Sequence, residues 1–422
     1  MTTKNLTNGV QAFEKRVFLA TPTMHGDEAR YVNEAFETNW VSTVGRNIDV
    51  IEEALAALTG KKYAVALGSG SAAMHMAVRA AAVRLYGMPP AGVGALAGRR
   101  AFCSDLTFAA SVNPVIYEGG EPVLIDSEYS TWNMDPAALE LAFCQYPEVR
   151  IVIVVHLYGT PAKMGEIRDI CRRHGAILIE DAAESLGASF DGYQTGGLGD
   201  IGVISFNGNK IITGSCGGAL LCDDELTRNR VRKWSTQARE PVPWYQHTEL
   251  GYNYRISNLV AGVIRGQLPW LEEHRRRKAE LYERYRRGFM GLPVTMNPFD
   301  AERSIPNHWL SCILLDREAM CPQIRTDEEA HYVPQPGKSC PTQILETLAV
   351  LNAEGRPVWK PMHLQPFFAA YPFVKVGQND VNADLFQRGL CLPSDIKMTE
   401  AQQRVIIDCV RGCFGAEAEE PA

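Results

Sequence analysis

The chain has 422 residues, 46% of them hydrophobic and 22% charged, a length that predicts two domains of an ordinary globular protein. A formal net charge of −7 argues against a nucleic-acid partner, for which a basic stripe is expected. No apolar stretch approaches the ~18 residues of a membrane span. The eleven cysteines are scattered without CxxC pairs, which reads as reduced cytosolic thiols and neither a disulfide framework nor a zinc site. Met1–Arg16 is polar, so no secretory signal is expected and the expected location is the cytoplasm.

Taken in chain order, short apolar runs read as strands at Tyr63–Leu67, Ala101–Cys103, Pro122–Ile125, Ile151–Val155, Ala176–Ile179, Ile201–Phe206 and Gly218–Cys222. Amphipathic stretches such as Ala72–Leu85 and Met164–His174 lie between them. That alternation predicts an α/β fold, with crossover connections and a mostly parallel central sheet covered by helices. Pro89–Gly98 reads as a surface insertion. Leu271–Phe289 reads as a long charged helix, in which the basic run Arg275, Arg276, Arg277 and Lys278 lies next to Glu272, Glu273 and Glu280 as a solvated face. Beyond it prolines become frequent, followed by the strand-like Gly389–Pro393 and a helical segment over Glu400–Arg411. The organisation expected is a large α/β domain over residues 1–276 and a smaller α+β domain over 277–422. The acidic tail from Gly415 is expected to be disordered.

In a parallel sheet, ligands gather beyond the carboxyl ends of the strands. After the first strand comes Gly68-Ser69-Gly70-Ser71-Ala72-Ala73, whose small residues and helix N-terminus suit a phosphate. A plain strand-to-helix turn accounts for it equally. Gly68, Gly70 and Ala73 also fit a dinucleotide fingerprint, but that pattern wants an acid about 20 residues on, and residues 86–96 hold none. Asp181, at the end of another strand, is either a helix cap or a carboxylate that keeps a pyridinium nitrogen protonated. Lys210 lies among glycines between two strands. It is either a surface charge or a partly dehydrated nucleophile. Phosphate cup, ring-nitrogen acid and reactive lysine together describe one cofactor, pyridoxal 5′-phosphate (PLP).

At these residues the sequence resembles the sugar aminotransferases of the DegT/DnrJ/EryC1/StrS family, within the fold-type I superfamily. The likeness runs from Phe18 to about Arg411, through ALGSGSAAMHMAV, DLTFAASVNPVIYEGGEPVLIDS, HLYGTPAKM, IEDAAESLGA, GDIGVISFNGNKIITGSCGGAL, GYNYRISN and GLCLPSD. The resemblance implies that Lys210 carries the cofactor as a Schiff base and that Asp181 pairs with its ring nitrogen. It sets Glu184 beside the phenolic oxygen, where most members have Gln, so a protonated partner is needed for that hydrogen bond. Phe108 would stack on the ring face, unless it is a core phenylalanine. Gly70, Ser71 and Ser205 would hold the phosphate, joined by Asn253 from a partner subunit, which implies a homodimer with shared sites.

The reaction implied takes the amino group of glutamate and leaves 2-oxoglutarate and the amine form of the cofactor. A nucleotide-linked ketosugar then receives that amine at C4. Lys210 would serve as nucleophile and as acid and base, and Asp181 as the electrostatic stabiliser. Ala162–Met164, Ser235–Glu240 and Arg356–His363 resemble the branch acting on UDP-linked 4-keto-6-deoxy-N-acetylhexosamines, as in bacillosamine synthesis. Arg239, Arg356 and His363 are then candidates to meet the nucleotide diphosphate or the glutamate carboxylate, against an ordinary surface role. The alternatives are a perosamine-type or dTDP-sugar aminotransferase and a PLP-binding regulator without turnover. Related dehydratases carry His in place of the lysine, and Lys210 speaks against them. No metal is expected.

Overall fold

Seven strands of five residues each form the centre of the computed structural model, which describes residues 11–326 and 328–416. They are β1 (Tyr63–Leu67), β2 (Arg100–Ser104), β3 (Glu121–Ile125), β4 (Ile151–Val155), β5 (Ile177–Asp181), β6 (Ile201–Ser205) and β7 (Gly218–Cys222). Helices cover both faces, so these strands are buried almost throughout and read in sequence as apolar runs without polar alternation. The order across the sheet is β1-β7-β6-β5-β4-β2-β3, with the short strand Phe373–Val374 added beside β3. All neighbours are parallel except β7, which runs against both β1 and β6. Every strand expected from the sequence is present. The largest shift is in β5, which runs on to include Asp181 as its last residue.

This topology fixes where polar chemistry can occur. The carboxyl ends of the parallel strands line one edge of the sheet. Because β7 is antiparallel, its first residue, Gly218, lies at that same edge, opposite Leu67 and Ser205. The connection 206–217 therefore turns back at the edge instead of crossing the sheet, and Lys210 sits on it. The helix Gly70–Tyr86 starts beside it and is buried at every position from Ala72 to Val83. Its alanines let it lie close against the sheet. Its two buried polar residues, His75 and Arg79, share one acceptor, with Glu118 Oε1 2.9 Å from His75 Nε2 and Glu118 Oε2 3.0 Å from Arg79 Nη1.

That carboxylate also anchors the segment 89–98, which lies mostly at the surface. The segment has no helix or strand, but Ala95 and Leu96 are buried. Ala95 N–H donates to Glu118 Oε2 at 2.7 Å and Leu96 N–H to the Glu118 carbonyl at 2.9 Å. The loop docks because a buried carboxylate needs its remaining acceptor sites filled.

A second, antiparallel sheet of Val294–Met296, Cys312–Leu315, Gly389–Cys391 and Arg356–Pro357 packs with the helices Leu271–Gly288, Pro341–Val350 and Glu400–Cys413. Their shared core includes Leu281, Tyr285, Ile313, Leu348 and Ile406. We propose that the division between the domains falls at about residue 277, inside the long helix, since Leu271 packs with the first core and Leu281 with the second. Past the second sheet, Met362 and Phe368 pack against the large sheet again, in a separate cluster with Val65 and Ala101. Arg275, Arg276 and Arg277 pair with glutamates along the helix surface as the sequence suggests, but Lys278 does not belong to that face. It lies one turn after His274 and points inward with it, where it is buried and donates to the carbonyls of Trp309 (2.9 Å) and Ser394 (2.5 Å). All eleven cysteines are free thiols. Among the described residues no helix is long and apolar enough to cross a membrane. From residue 417 on, the acidic tail lies outside the described residues.

Replacing Glu118 with Gln removes the charge that compensates buried Arg79. The expected cost is about 3 kcal/mol, read as a lower midpoint in urea unfolding. A change below about 0.5 kcal/mol would show that the network does not hold the helix.

Candidate active site

At the carboxyl edge of the sheet opens a cavity of about 760 Å³ whose walls include Gly70, Ser71, Phe108, Asp181, Glu184, Ser205, Lys210 and Arg356. Its parts come from strand ends. Asp181 closes β5. Its Oδ2 accepts from Ser111 Oγ at 2.6 Å and its Oδ1 from Ala183 N–H at 3.1 Å. Ser111 is itself held by Thr107, Oγ to Oγ1 2.7 Å. Asp181 thus does cap the turn after the strand, while its carboxylate is kept in one orientation at the cavity wall.

Lys210 lies on the return loop, in a turn closed by its N–H to the Asn207 carbonyl at 2.9 Å. Its side chain is mostly buried, with Nζ 3.5 Å from Glu184 Oε1 and 4.1 Å from the centre of the Trp309 ring system. Glu184 is nearly inaccessible. Its Oε2 accepts from Tyr158 N–H at 2.7 Å, a donor presented by a left-handed backbone turn (φ 54°, ψ 20°) at Tyr158. Burial pushes the Glu184 carboxyl up to about 7, against the opposing pull of the Lys210 charge and the Tyr158 N–H. A carboxyl titrating there exchanges a proton near neutral pH.

The phosphate cup is built by close approach. Ser69 caps the helix Gly70–Tyr86, its Oγ accepting from Ala72 N–H at 3.0 Å. A Cβ at Gly70 would stand 2.8 Å from Ser205 Cβ and 2.9 Å from its Oγ, so only glycine lets the helix N-terminus meet the end of β6. The result is a helix-end cradle with the serines 71 and 205 beside it, a donor set suited to an anion. Phe108 is 63% exposed, which removes the reading of a core phenylalanine. It stands at the mouth, 5.8 Å from the Trp359 ring, and offers a face to a planar group. Cradle, fixed carboxylate, amine and open aromatic face could hold a phosphate, a ring nitrogen, an aldehyde carbon and a ring plane, the four parts of PLP.

Three expected residues are not in this cavity. Asn253 accepts from Gln237 Nε2 at 3.1 Å on the exposed side of its loop. Arg239 is exposed and lies 4.4 Å over the Tyr245 ring. His363 is placed 2.6 Å from Asp105 Oδ2 and 3.0 Å from Asp380 Oδ2 and stacks on Phe373. Burial opposes its charge, yet the two carboxylates outweigh it and lift its pKa to about 9. Its backbone N–H and Nδ1 both bond to Asp105, at 2.7 and 2.6 Å, so His363 braces the chain just after β2. Arg356 alone of the three substrate candidates lines the cavity, paired with Glu354 at 3.1 Å. Trp309, Tyr158, Thr107 and Ser111 were not singled out from sequence. Tyr158, Thr107 and Ser111 lie inside HLYGT and DLTFAAS, where an i, i+4 hydroxyl pair beside a strand-end acid is a usable signal. Trp309 has none, since it meets Lys210 only across about a hundred residues of chain.

The fold is that of the fold-type I PLP-dependent aminotransferases. A model of the DegT/DnrJ/EryC1/StrS aminotransferase family matches residues 22–411, and the chain belongs to that family, whose cofactor is PLP. It is 40% identical to EpsN of Bacillus subtilis, over 95% of this chain and 96% of that one. It is 33% identical to a GDP-perosamine synthase of Caulobacter vibrioides, over 93% and 96%. The crystal structure of a DegT DnrJ EryC1 StrS aminotransferase from Brucella abortus superposes with a TM-score of 0.78 at 23% identity, covering 92% of this chain and 95% of that one. Family membership sets aside the dinucleotide reading of Gly68, Gly70 and Ala73.

Because the Glu184 pKa is about 7 in the folded chain against an ordinary 4.5, this residue favours folding fully below about pH 4.5 and loses that contribution as pH rises through 7. The cofactor-free protein is expected to lose on the order of 3 kcal/mol between about pH 5 and about pH 9 that Glu184→Gln retains. Urea unfolding across that range checks it; parallel pH profiles for both proteins would refute it.

Proposed function

We propose that this chain transfers the amino group of glutamate to C4 of a UDP-linked 4-keto-6-deoxy-N-acetylhexosamine, a bacillosamine-type step supplying an aminosugar for polysaccharide or glycan synthesis. The observation that carries the transaminase assignment is the single cavity that joins the Lys210 amine, the fixed Asp181 carboxylate and the Gly70–Ser205 cradle. Its volume, about 760 Å³, leaves room beside a cofactor for a nucleotide sugar. When bound, PLP supplies the electron sink that lets a carbon bearing an amine lose a proton.

The chain's own residues do the rest. Lys210 anchors the group, then holds and moves the proton at the reacting carbon. Asp181, kept in place by Ser111 and Ala183 N–H, sets a negative charge where the ring nitrogen would lie. Glu184 donates or accepts at the phenolic oxygen according to its protonation. Gly70, Ser71 and Ser205 bind the phosphate, and Phe108 covers one ring face and excludes water. Arg356 on the rim meets the diphosphate or the donor carboxylate. Asn253, outside its own cavity, reaches the phosphate in a second copy's site, so the working unit is a homodimer in the cytoplasm. A second reading, a GDP-linked acceptor, is favoured by the likeness to a GDP-perosamine synthase.

The test is the absorbance of purified protein with PLP, wild type beside Lys210→Ala, on adding glutamate and then UDP-, GDP- or dTDP-linked ketosugars. Glutamate is expected to convert the visible band in wild type, with turnover lower by at least about 10³-fold in the variant, and the UDP sugar to restore it. Restoration only by a GDP sugar would favour the second reading. A bound chromophore that glutamate leaves unchanged would overturn the enzyme assignment in favour of a regulator.

A further inference from the structure

The residues flanking Lys210 are held from both sides. The Asn209 carbonyl accepts from Trp309 Nε1–H at 2.8 Å, and the Ile211 carbonyl pairs with His274 Nδ1 at 2.7 Å. Trp309 is itself fixed at two further points. Its backbone N–H donates to Asn307 Oδ1 at 2.9 Å, and its carbonyl accepts from buried Lys278 at 2.9 Å. His308 before it takes a left-handed backbone conformation (φ 51°), which turns Trp309 back toward the cavity. The indole is 3% exposed and its face lies 4.1 Å from Lys210 Nζ. His274 and Lys278 stand one turn apart on the same helix, so a single helix face secures both the lysine loop and the tryptophan.

We propose that Trp309 is a positioning residue whose indole face stabilises the ammonium that Lys210 becomes each time it takes up a proton. The inference rests on the assignment of Lys210 as acid and base. In the step concerned a C–H bond of the substrate breaks and an N–H bond forms at Nζ. The electron pair stays on the carbon framework, and the proton is later returned from the same nitrogen. A positive charge therefore appears and disappears at Nζ within each half-reaction. Among the described residues, the only carboxylate in ion-pair contact with it is Glu184, whose charge is incomplete at neutral pH. A π face needs no proton of its own and cannot be neutralised, so it stabilises the cation at every working pH. Indole serves this place better than phenyl for two reasons. It has the stronger quadrupole, and its N–H reaches the Asn209 carbonyl, which ties the face to the chain segment carrying the lysine.

The test replaces Trp309 in the full-length chain with tryptophans carrying one to four ring fluorines, which weaken the π face with little change of shape. In cofactor-free protein, the pH dependence of Lys210 acetylation, read by mass spectrometry, is expected to shift down by about one pH unit across the series. The rate of the glutamate half-reaction is expected to fall about tenfold with KM unchanged, and Trp309→Phe to lie between wild type and Trp309→Leu. A flat acetylation profile across the fluorinated series would overturn the contact, because a merely structural indole is not affected by fluorination in this graded way. A shifted profile with an unchanged half-reaction rate would overturn its use in catalysis. The acetylation readout does not depend on turnover, so failure of the aminotransferase assignment, seen as no conversion by glutamate in wild type, is distinguishable from failure of this inference.

Discussion

Burying a parallel sheet on both faces leaves only the strand ends for polar chemistry, and the rest of this molecule is arranged around that constraint. The backbone of β4, β5 and β6 consumes its hydrogen bonds inside the sheet, and the side chains are apolar up to the last two residues of β5, where buried Glu180 is paired with His156 at 3.0 Å. Asp181 and Ser205 are polar because they are the last residues of their strands. The antiparallel course of β7 adds the lysine loop to the same edge. One reversed strand thus decides that an amine, a carboxylate and an anion cradle face one cavity.

Charge inside the fold shows the same physics with different outcomes. Glu118, surrounded by His75, Arg79 and the Ala95 N–H, is held in its ionised form although it is buried, since its partners overcome desolvation. Glu184 has one lysine and one N–H, and desolvation prevails. His363, between two aspartates, is held charged. The partners decide whether a buried group is a fixed brace or a group that can exchange a proton near neutrality. Glu184, with the weakest compensation of the three, is the one in the cavity.

The second sheet contributes to the site through long-range contacts. Trp309 precedes its strand Cys312–Leu315, and Trp359 follows Arg356–Pro357. Tyr158 joins these parts, since its N–H donates to Glu184 and its hydroxyl accepts from Trp359 N–H at 3.0 Å. The rim that carries Arg356 is therefore one residue-to-residue contact away from the carboxyl beside the lysine.

Much was legible in the chain itself. The strands could be read because continuous apolar runs are what two-sided burial requires, and Asp181, Ser205 and Lys210 because strand ends are places marked in the sequence. Gly70 was legible as a small residue at a helix start. Where the readings went astray, the deciding partner was distant in sequence. Lys278 looked solvated until Trp309 and Ser394 supplied its acceptors. His363 looked like a substrate ligand until Asp105 and Asp380 enclosed it. Local pattern alone determined which elements form and which ends carry polar groups, because hydrophobic periodicity and turn chemistry act over a few residues. Only the tertiary structure decided which of those groups are neutral, charged, braced or open, because desolvation and charge pairing depend on neighbours outside the local segment, from 23 residues away for Ala95 and Glu118 to 258 for Asp105 and His363.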